Sequence, residues 1–227
     1  MIDPDAIRGL LTAIELKDAA TAAHTWRVTL YARALAESRG VLGDRLRRVT
    51  LGAALHDVGK IDIDDAVLRK ADRLDEEEFR VIRSHPVLGH ERLRSMGLVD
   101  PDILGMVRSH HERWDGGGYP DGLAGEAIPV GARFLAVIDV FDAMTSVRPY
   151  RDQVGDEAAE RALGAIREGR GSAFCPECVD SFEELYRSGA ATWILHYFND
   201  GEQTVAFDSI EHLDDALRAL APEGHRP

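Results

Sequence analysis

Histidine keeps falling where a chain of this pattern has to fold inward. In five separate stretches with helical periodicity, an imidazole or a carboxylate shares the face occupied by apolar side chains. His24 recurs with Val28, Tyr31 and Leu35 at i, i+4, i+7 and i+11. Leu46, Val49 and Ala53 lead at intervals of three and four to His56, which Asp57 follows directly. Phe79, Ile82 and His85 form a third stripe, and Ile103, Leu104 and Val107 lead to His110 and His111. Asp139 lies in the apolar run GARFLAVIDVFDAMTS, one turn before Asp142. One inward histidine is more often a satisfied core residue than a ligand. Six inward positions besides Asp57 are another matter, because buried polar and charged groups are costly unless paired or bound to metal.

The surrounding signals are helical almost throughout. Asp3-Pro4 is a cap followed by proline at the first helical position, and Leu10, Leu11 and Ile14 follow on one side. Thr21 is expected to cap a second helix that closes near Gly40, and Asp44 to open a third. Asp75 with Glu78 forms a capping box, and Pro86 interrupts the helix that it begins. Asp100-Pro101 repeats the cap-and-proline signal. DGGGYPDGLAGEAIP is too rich in Gly and Pro for a regular element, and DEAAERALGAIREG and PECVDSFEELYR read as two further helices.

From about residue 190 the texture changes: WILHYF, QTVAF and SIEHLDDALRAL suggest one or two short strands and a helix. The expected fold is an all-α helical bundle over residues 1–189 around a buried di-metal site. Residues 190–227 would form a small α+β appendage.

Composition narrows the function. Forty acidic against twenty-seven basic residues give a net charge of −13, which disfavours a nucleic acid polymer as partner and leaves any phosphate-bearing ligand to a local cationic site. No stretch approaches the ~20 apolar residues of a membrane span, and MIDPDAIRGL lacks the basic start and apolar run of a signal peptide. A cytoplasmic location is expected. Cys175 and Cys178, the only cysteines, have no second pair to complete a zinc site and read as an accident at a helix start. His90, His196, His212 and His225 lack any partner pattern and are expected in solvent.

Imidazole nitrogen and carboxylate oxygen without thiolate suit iron, manganese, nickel or zinc. Seven candidate ligands exceed the needs of one ion and suit two ions that share a carboxylate. The adjacent pairs His56-Asp57 and His110-His111 can both ligate where a helix ends.

At these residues the sequence resembles the HD-GYP family, a branch of the HD metal-dependent phosphohydrolases. TAAHTWRV, LHDVGKIDI, VLRKADRLDEEEF, SHPVLGHE, HHERWDGGGYPDGLAGEAIP, AVIDVFDAMTSVRPYR and GSAFCP appear in family order, from roughly residue 15 to 185. The resemblance implies a helical bundle holding two or three metal ions that hydrolyses cyclic di-GMP, a bacterial second messenger. By matched position, His24, His56, Asp57 and Asp139 would ligate one ion, and the shared Asp57 with His85, His110 and His111 the other. Lys60 is similar to the lysine that contacts the scissile phosphate, and Arg148 and Arg151 to the family's nucleotide-phosphate contacts.

Two departures stand out. Members that hold a third ion carry a glutamate four residues before the first histidine, where this chain has Ala20. A methyl group cannot coordinate, so the resemblance implies two ions, iron or manganese ahead of zinc or nickel, and linear pGpG as the product. Cys175 stands where the family has the aspartate of FDP, and only a structural effect is expected.

Two cations ~3.5–4 Å apart lower the pKa of a bridging water toward ~7 and neutralise phosphate oxygens. Asp57 and Lys60 would be the catalytic groups, the lysine stabilising charge on the reacting phosphate. Tyr119 would stack on guanine or hydrogen-bond to it, and Arg148 and Arg151 offer forked donors to phosphate. Asp142 would orient a ligating histidine. The competing readings are a phosphodiesterase for another cyclic dinucleotide, and a low-turnover sensor that binds a diguanylate cyclase or other signalling protein. Many relatives attach this domain to a receiver or sensor. None precedes residue 1, so unless the chain is a fragment, regulation is expected from the tail, a partner, oligomerisation or metal supply.

Overall fold

The computed structural model describes residues 4–17, 19–70, 72–146 and 156–195. Helices run in the order α1 (Pro4–Lys17), α2 (Ala19–Ser38), α3 (Gly43–Leu55), a 3-10 turn (Val58–Asp62), α4 (Asp65–Leu68), α5 (Glu76–Arg83) and α6 (His85–Ser95). Then come α7 (Pro101–Ser109), α8 (Val130–Thr145), α9 (Asp156–Glu168) and α10 (Pro176–Arg187). Among the described residues there is no β-strand, only isolated bridges between Asp115 and Ala124 and between Arg170 and Phe174. No helix among them is long and apolar enough to cross a membrane.

The bundle is organised around α2, which packs against α1, α3, α8 and α10. A surface helix has one apolar stripe, but α2 buries Trp26, Val28, Leu30, Tyr31 and Leu35 on several sides and so has to lie centrally. Edge-to-face aromatic contacts tie it to its neighbours: Tyr31 to Phe141 of α8 at 5.5 Å, and Tyr31 to Phe182 of α10 at 5.8 Å.

Several expected caps are present. Asp75 and Glu78 form the reciprocal capping box of α5, and the Asp100 carboxylate accepts from the N–H groups of Asp102 and Ile103 at the start of α7. Gly40, with φ of 73°, follows the end of α2. Cys175 and Cys178 are free, buried and at the start of α10.

Other expectations change. α2 begins at Ala19, so Thr21 lies inside the helix and does not cap it. The stripe on α5 is not core: none of its residues is buried, and Phe79 is 51% exposed, because a helix this short lies over the rim of the bundle. His90 is half-buried where exposure was expected, and its Nδ1 is enclosed without a hydrogen-bond partner. Residues 192–195 form a helical turn where WILHYF suggested extended chain, with Ala191, Ile194 and Leu195 in the common core. Asp3, Arg148, Arg151, His196, His212, His225 and the rest of the expected appendage lie outside the described residues.

One glycine sets the approach of the elements that matter most. A Cβ on Gly59 would stand 1.9 Å from the backbone oxygen of His85 and 2.5 Å from the backbone nitrogen of Gly89. The 3-10 turn after His56-Asp57 can therefore lie against α6 only if residue 59 has no side chain.

We expect Gly59→Ala to lower the unfolding free energy by at least about 1–3 kcal/mol, because the clash is with backbone that cannot swing away. Gly164, inside α9, is the control, since a methyl group added there would meet nothing within 4 Å. Gly164→Ala should stabilise by about 0.5–1 kcal/mol. Urea midpoints of the two variants measure both, and a Gly59→Ala midpoint equal to the parent's would refute the close-approach argument.

Candidate metal centre

The inward histidines arrive where helices stop. His56 is the C-terminal cap of α3, His110 that of α7, and His85 follows α5 after a single residue. In each ring Nδ1 meets the carbonyl oxygen three residues upstream: His56 to Ala53 at 2.7 Å, His85 to Ile82 at 2.7 Å, and His110 to Val107 at 2.9 Å. A carbonyl only accepts, so each Nδ1 carries the proton and each Nε2 presents a lone pair. His24 reaches the same arrangement differently, its Nδ1 lying 2.8 Å from Asp142 Oδ2.

The Nε2 atoms then face one another. His24 and His56 stand 3.4 Å apart, and His85 and His110 3.1 Å apart. Lone pairs aimed at each other repel unless a proton or a cation lies between them. The donors form two groups whose ligand atoms lie within 4.8 Å of one another: His24 with His56 and Asp139, and His85 with His110 and His111. All are nitrogen or carboxylate oxygen, a set that fits borderline divalent ions.

Asp57 stands between the groups. Its Oδ2 lies 3.8 Å from His24 Nε2 and 3.4 Å from His56 Nε2, whereas its Oδ1 lies 3.2 Å from His85 Nε2 and 4.0 Å from His110 Nε2. One carboxylate thus offers one oxygen to each cluster. Lys60 Nζ donates to Oδ2 at 2.6 Å.

The electrostatics prepare these groups as ligands. Burial pushes the His110 imidazole well below its ordinary pKa, and His111 and His56 beside it add to the effect. Burial, with His85 next to it, brings His111 down to about 4. Burial also lowers His56 despite Asp57. These rings are therefore neutral near pH 7, the form that binds metal. Burial alone would raise Asp57, but Lys60, His56 and His85 outweigh it and hold the carboxyl well below the usual range. His24 is raised: burial opposes charge there, but Asp142, Asp139 and Asp57 overcome it. Its pocket is arranged to hold positive charge.

The HD domain family matches residues 10–177. The chain belongs to that family. With the motifs of the GYP loop it falls in the HD-GYP branch. Over 179 residues it is 42% identical to the cyclic di-GMP phosphodiesterase response regulator RpfG of Xanthomonas campestris, covering 78% of this chain and 46% of that protein. Over 177 residues it is 36% identical to the 3'3'-cGAMP-specific phosphodiesterase 2 of Vibrio cholerae, covering 78% and 33%. The chain spans less than half the length of either relative. Its fold is similar to that of a cyclic GMP-AMP-specific phosphodiesterase of Vibrio cholerae, with a TM-score of 0.59 at 16% identity over 96% of this chain and 55% of that one.

The GYP loop of this HD-GYP domain is pinned from below. Buried Glu112 accepts from the backbone N–H groups of Asp121 at 2.7 Å and Leu123 at 3.1 Å. A Cβ on Gly118 would meet the backbone nitrogen of Arg113 at 2.3 Å, so the chain can fold back here only at glycine. The loop lays Tyr119 on His111, rings stacked with centroids 4.9 Å apart, and the Arg83 guanidinium lies 4.2 Å over the tyrosine ring. Tyr119 packs on a candidate ligand, and Arg83 shares its ring with anything that would stack there.

Sequence reasoning missed Arg83, Glu112 and Arg27. Buried Arg27 grips Asp142 with two nitrogens, its Nη2 3.1 Å from Oδ2, and also donates to Ser146 at 2.7 Å. Arg27 stands three residues after His24, one helical turn away, and that spacing was the available signal. Asp142 orients His24 as expected, with Arg27 holding the carboxylate in place.

We expect Asp142→Asn to weaken the ion at the His24 group by about 10–100-fold, the usual cost of losing a group that orients a ligating histidine, while the His85 group keeps its own. Asp57→Ala should weaken both. Metal stoichiometry by plasma mass spectrometry after dialysis against graded chelator reads the difference. Equal loss of both ions in Asp142→Asn would contradict the division into two groups.

Proposed function

We propose that this HD-GYP domain hydrolyses a phosphodiester bond of cyclic di-GMP and releases linear pGpG. The observation that carries the reading is Asp57, whose two oxygens are divided between two histidine clusters. A buried carboxylate shared in this way suits a pair of ions, and a pair of ions suits phosphoryl chemistry.

His24, His56 and Asp139 would hold one divalent cation, His85, His110 and His111 the other, and Asp57 would serve both. These donors suit iron, manganese, zinc or nickel, and the family resemblance puts iron or manganese first. Such ions neutralise phosphate oxygens and make water a competent nucleophile near pH 7. The protein's own groups do the rest. Lys60, its side chain 28% exposed and anchored 2.6 Å from Asp57 Oδ2, stands at the edge of the cluster. It donates to a non-bridging phosphate oxygen and stabilises the charge that builds there. The hydroxyl of Tyr119, whose pKa burial pushes up to about 12, stays protonated and donates toward the nucleotide. Arg148 and Arg151, outside the described residues, supply forked donors to the second phosphate. Ala20 offers no third ligand, which supports a reaction that stops at pGpG. Action on a bacterial second messenger would place the domain in the cytoplasm.

A second substrate has its own support, since a relative 36% identical is named as specific for 3'3'-cGAMP. The test is product chromatography after incubating iron-, manganese- and zinc-loaded protein with each cyclic dinucleotide. We expect pGpG to accumulate without GMP, and Asp57→Ala to abolish turnover. Lys60→Ala should lower kcat by about 10²–10³, the usual loss when one charge-stabilising donor is removed, at unchanged metal content. Faster cleavage of 3'3'-cGAMP would replace the substrate. Tight binding without product would make the chain a sensor for a diguanylate cyclase or another signalling partner.

A further inference from the structure

Away from the metal centre, a cavity of about 350 Å³ opens between α3, α7, α8 and α10. None of the metal-centre residues lines it. Arg39, Arg45, Arg48 and Arg133 do, against the carboxylates of Asp102 and Glu177. Counting Asp100 as well, whose Oδ2 lies 3.9 Å from Arg48 Nε, four cations against three anions leave a charge of about +1 at this spot, on a chain whose total is −13. Arg39 and Arg45 are exposed and make no ion pair with any described residue. Arg48 Nε stands 3.0 Å from Asp102 Oδ2 yet makes no hydrogen bond although it is enclosed.

The backbone adds to the same field. α3, α8 and α10 all begin at this cavity, which Val41, Gly131 and Glu177 line beside their first turns. Their N-terminal cap residues, Leu42, Pro129 and Cys175, supply no side-chain hydrogen bond. By contrast, Asp75 and Asp100 cap α5 and α7. Uncapped first turns leave N–H groups without intrahelical partners and carry the positive end of the helix dipole, which together favour an anion. The remaining wall is apolar, built from Val49, Met106 and Phe134. A volume of this size lies in the range of small-molecule sites.

We propose that this cavity binds a small organic anion. Its carboxylate or phosphate sits among Arg39, Arg45 and Arg48 at the helix starts, and its apolar body lies against Met106 and Phe134. The assignment does not depend on the hydrolysis proposed above.

The test titrates the whole chain with the fluorescent dye 1-anilinonaphthalene-8-sulfonate and with its uncharged relative N-phenyl-1-naphthylamine. We expect one sulfonate dye per chain, and an uncharged dye at least about tenfold weaker, because the charge-assisted hydrogen bonds are missing. The exposed pair Arg39→Glu with Arg45→Glu should raise the dye's Kd at least about tenfold with the circular dichroism spectrum and Tm unchanged. Arg48→Gln should weaken binding in the same direction, and Asp57→Asn should leave it as it was. Displacement by guanosine monophosphate points to a nucleotide body, and displacement by octanoate to an acyl body. Equal binding of the two dyes would overturn the proposal, as would wild-type affinity in the double variant or loss of the site in Asp57→Asn. So would displacement by inorganic sulfate alone, or by neither organic competitor.

Discussion

A carboxylate at the centre of a protein is tolerated only if something positive is always near it, and the geometry around Asp57 follows from that requirement. Burial alone would raise its pKa, but its neighbours, Lys60 foremost, hold it well below the usual carboxylate range. Asp57, Asp139 and Asp142 bring three negative charges to the region, whereas Lys60 and Arg27 bring two positive ones. The remaining imbalance favours taking up cations, and the same carboxylates raise the pKa of His24 against its burial. Gly59 belongs to this constraint as well. By letting the 3-10 turn touch α6 it brings Asp57 within 3.2 Å of His85, a residue from another helix.

Helix ends solve the second problem, which is how to aim several imidazoles without a dedicated partner for each. The last carbonyls of a helix have no intrahelical donor. His56 and His110, at the caps of α3 and α7, satisfy one each through Nδ1, as does His85 just beyond α5. A single hydrogen bond thereby closes the helix, fixes the tautomer and turns Nε2 toward the centre. His24 sits mid-helix, where carbonyls are already taken. It therefore needs the separate device of Asp142, gripped by Arg27 and Ser146.

This difference explains what the sequence revealed and what it did not. Periodicity placed His24, His56, His110, His111 and Asp139 facing inward because a buried face repeats every three or four residues, and each lies in one of the two clusters; His85 joins them although the α5 stripe that led to it is not buried. Capping chemistry is equally local, so Asp75 with Glu78 and Asp100 were readable. Gly59 was not, because the need for glycine arises from His85 and Gly89, some thirty residues away. Nor was Glu112, whose partners Asp121 and Leu123 come from the far side of a loop. Phe79 misled because apolar spacing on a two-turn helix says which residues share a face and not what covers that face.

Helix polarity ties the centre to the rest of the molecule. α3 and α7 bring their C-terminal ends, partially negative, to the histidine clusters, and their opposite ends reach the arginine-lined cavity through Arg45 and Asp102. α8 likewise begins at that cavity and carries Asp139 to the centre between two and three turns later. Cations are favoured at helix C-termini and anions at N-termini. Elements running the same way between two places must therefore make one end of the bundle hospitable to cations and the other to anions. The arginines of the cavity and the carboxylates of the metal centre strengthen a separation that the backbone has already made.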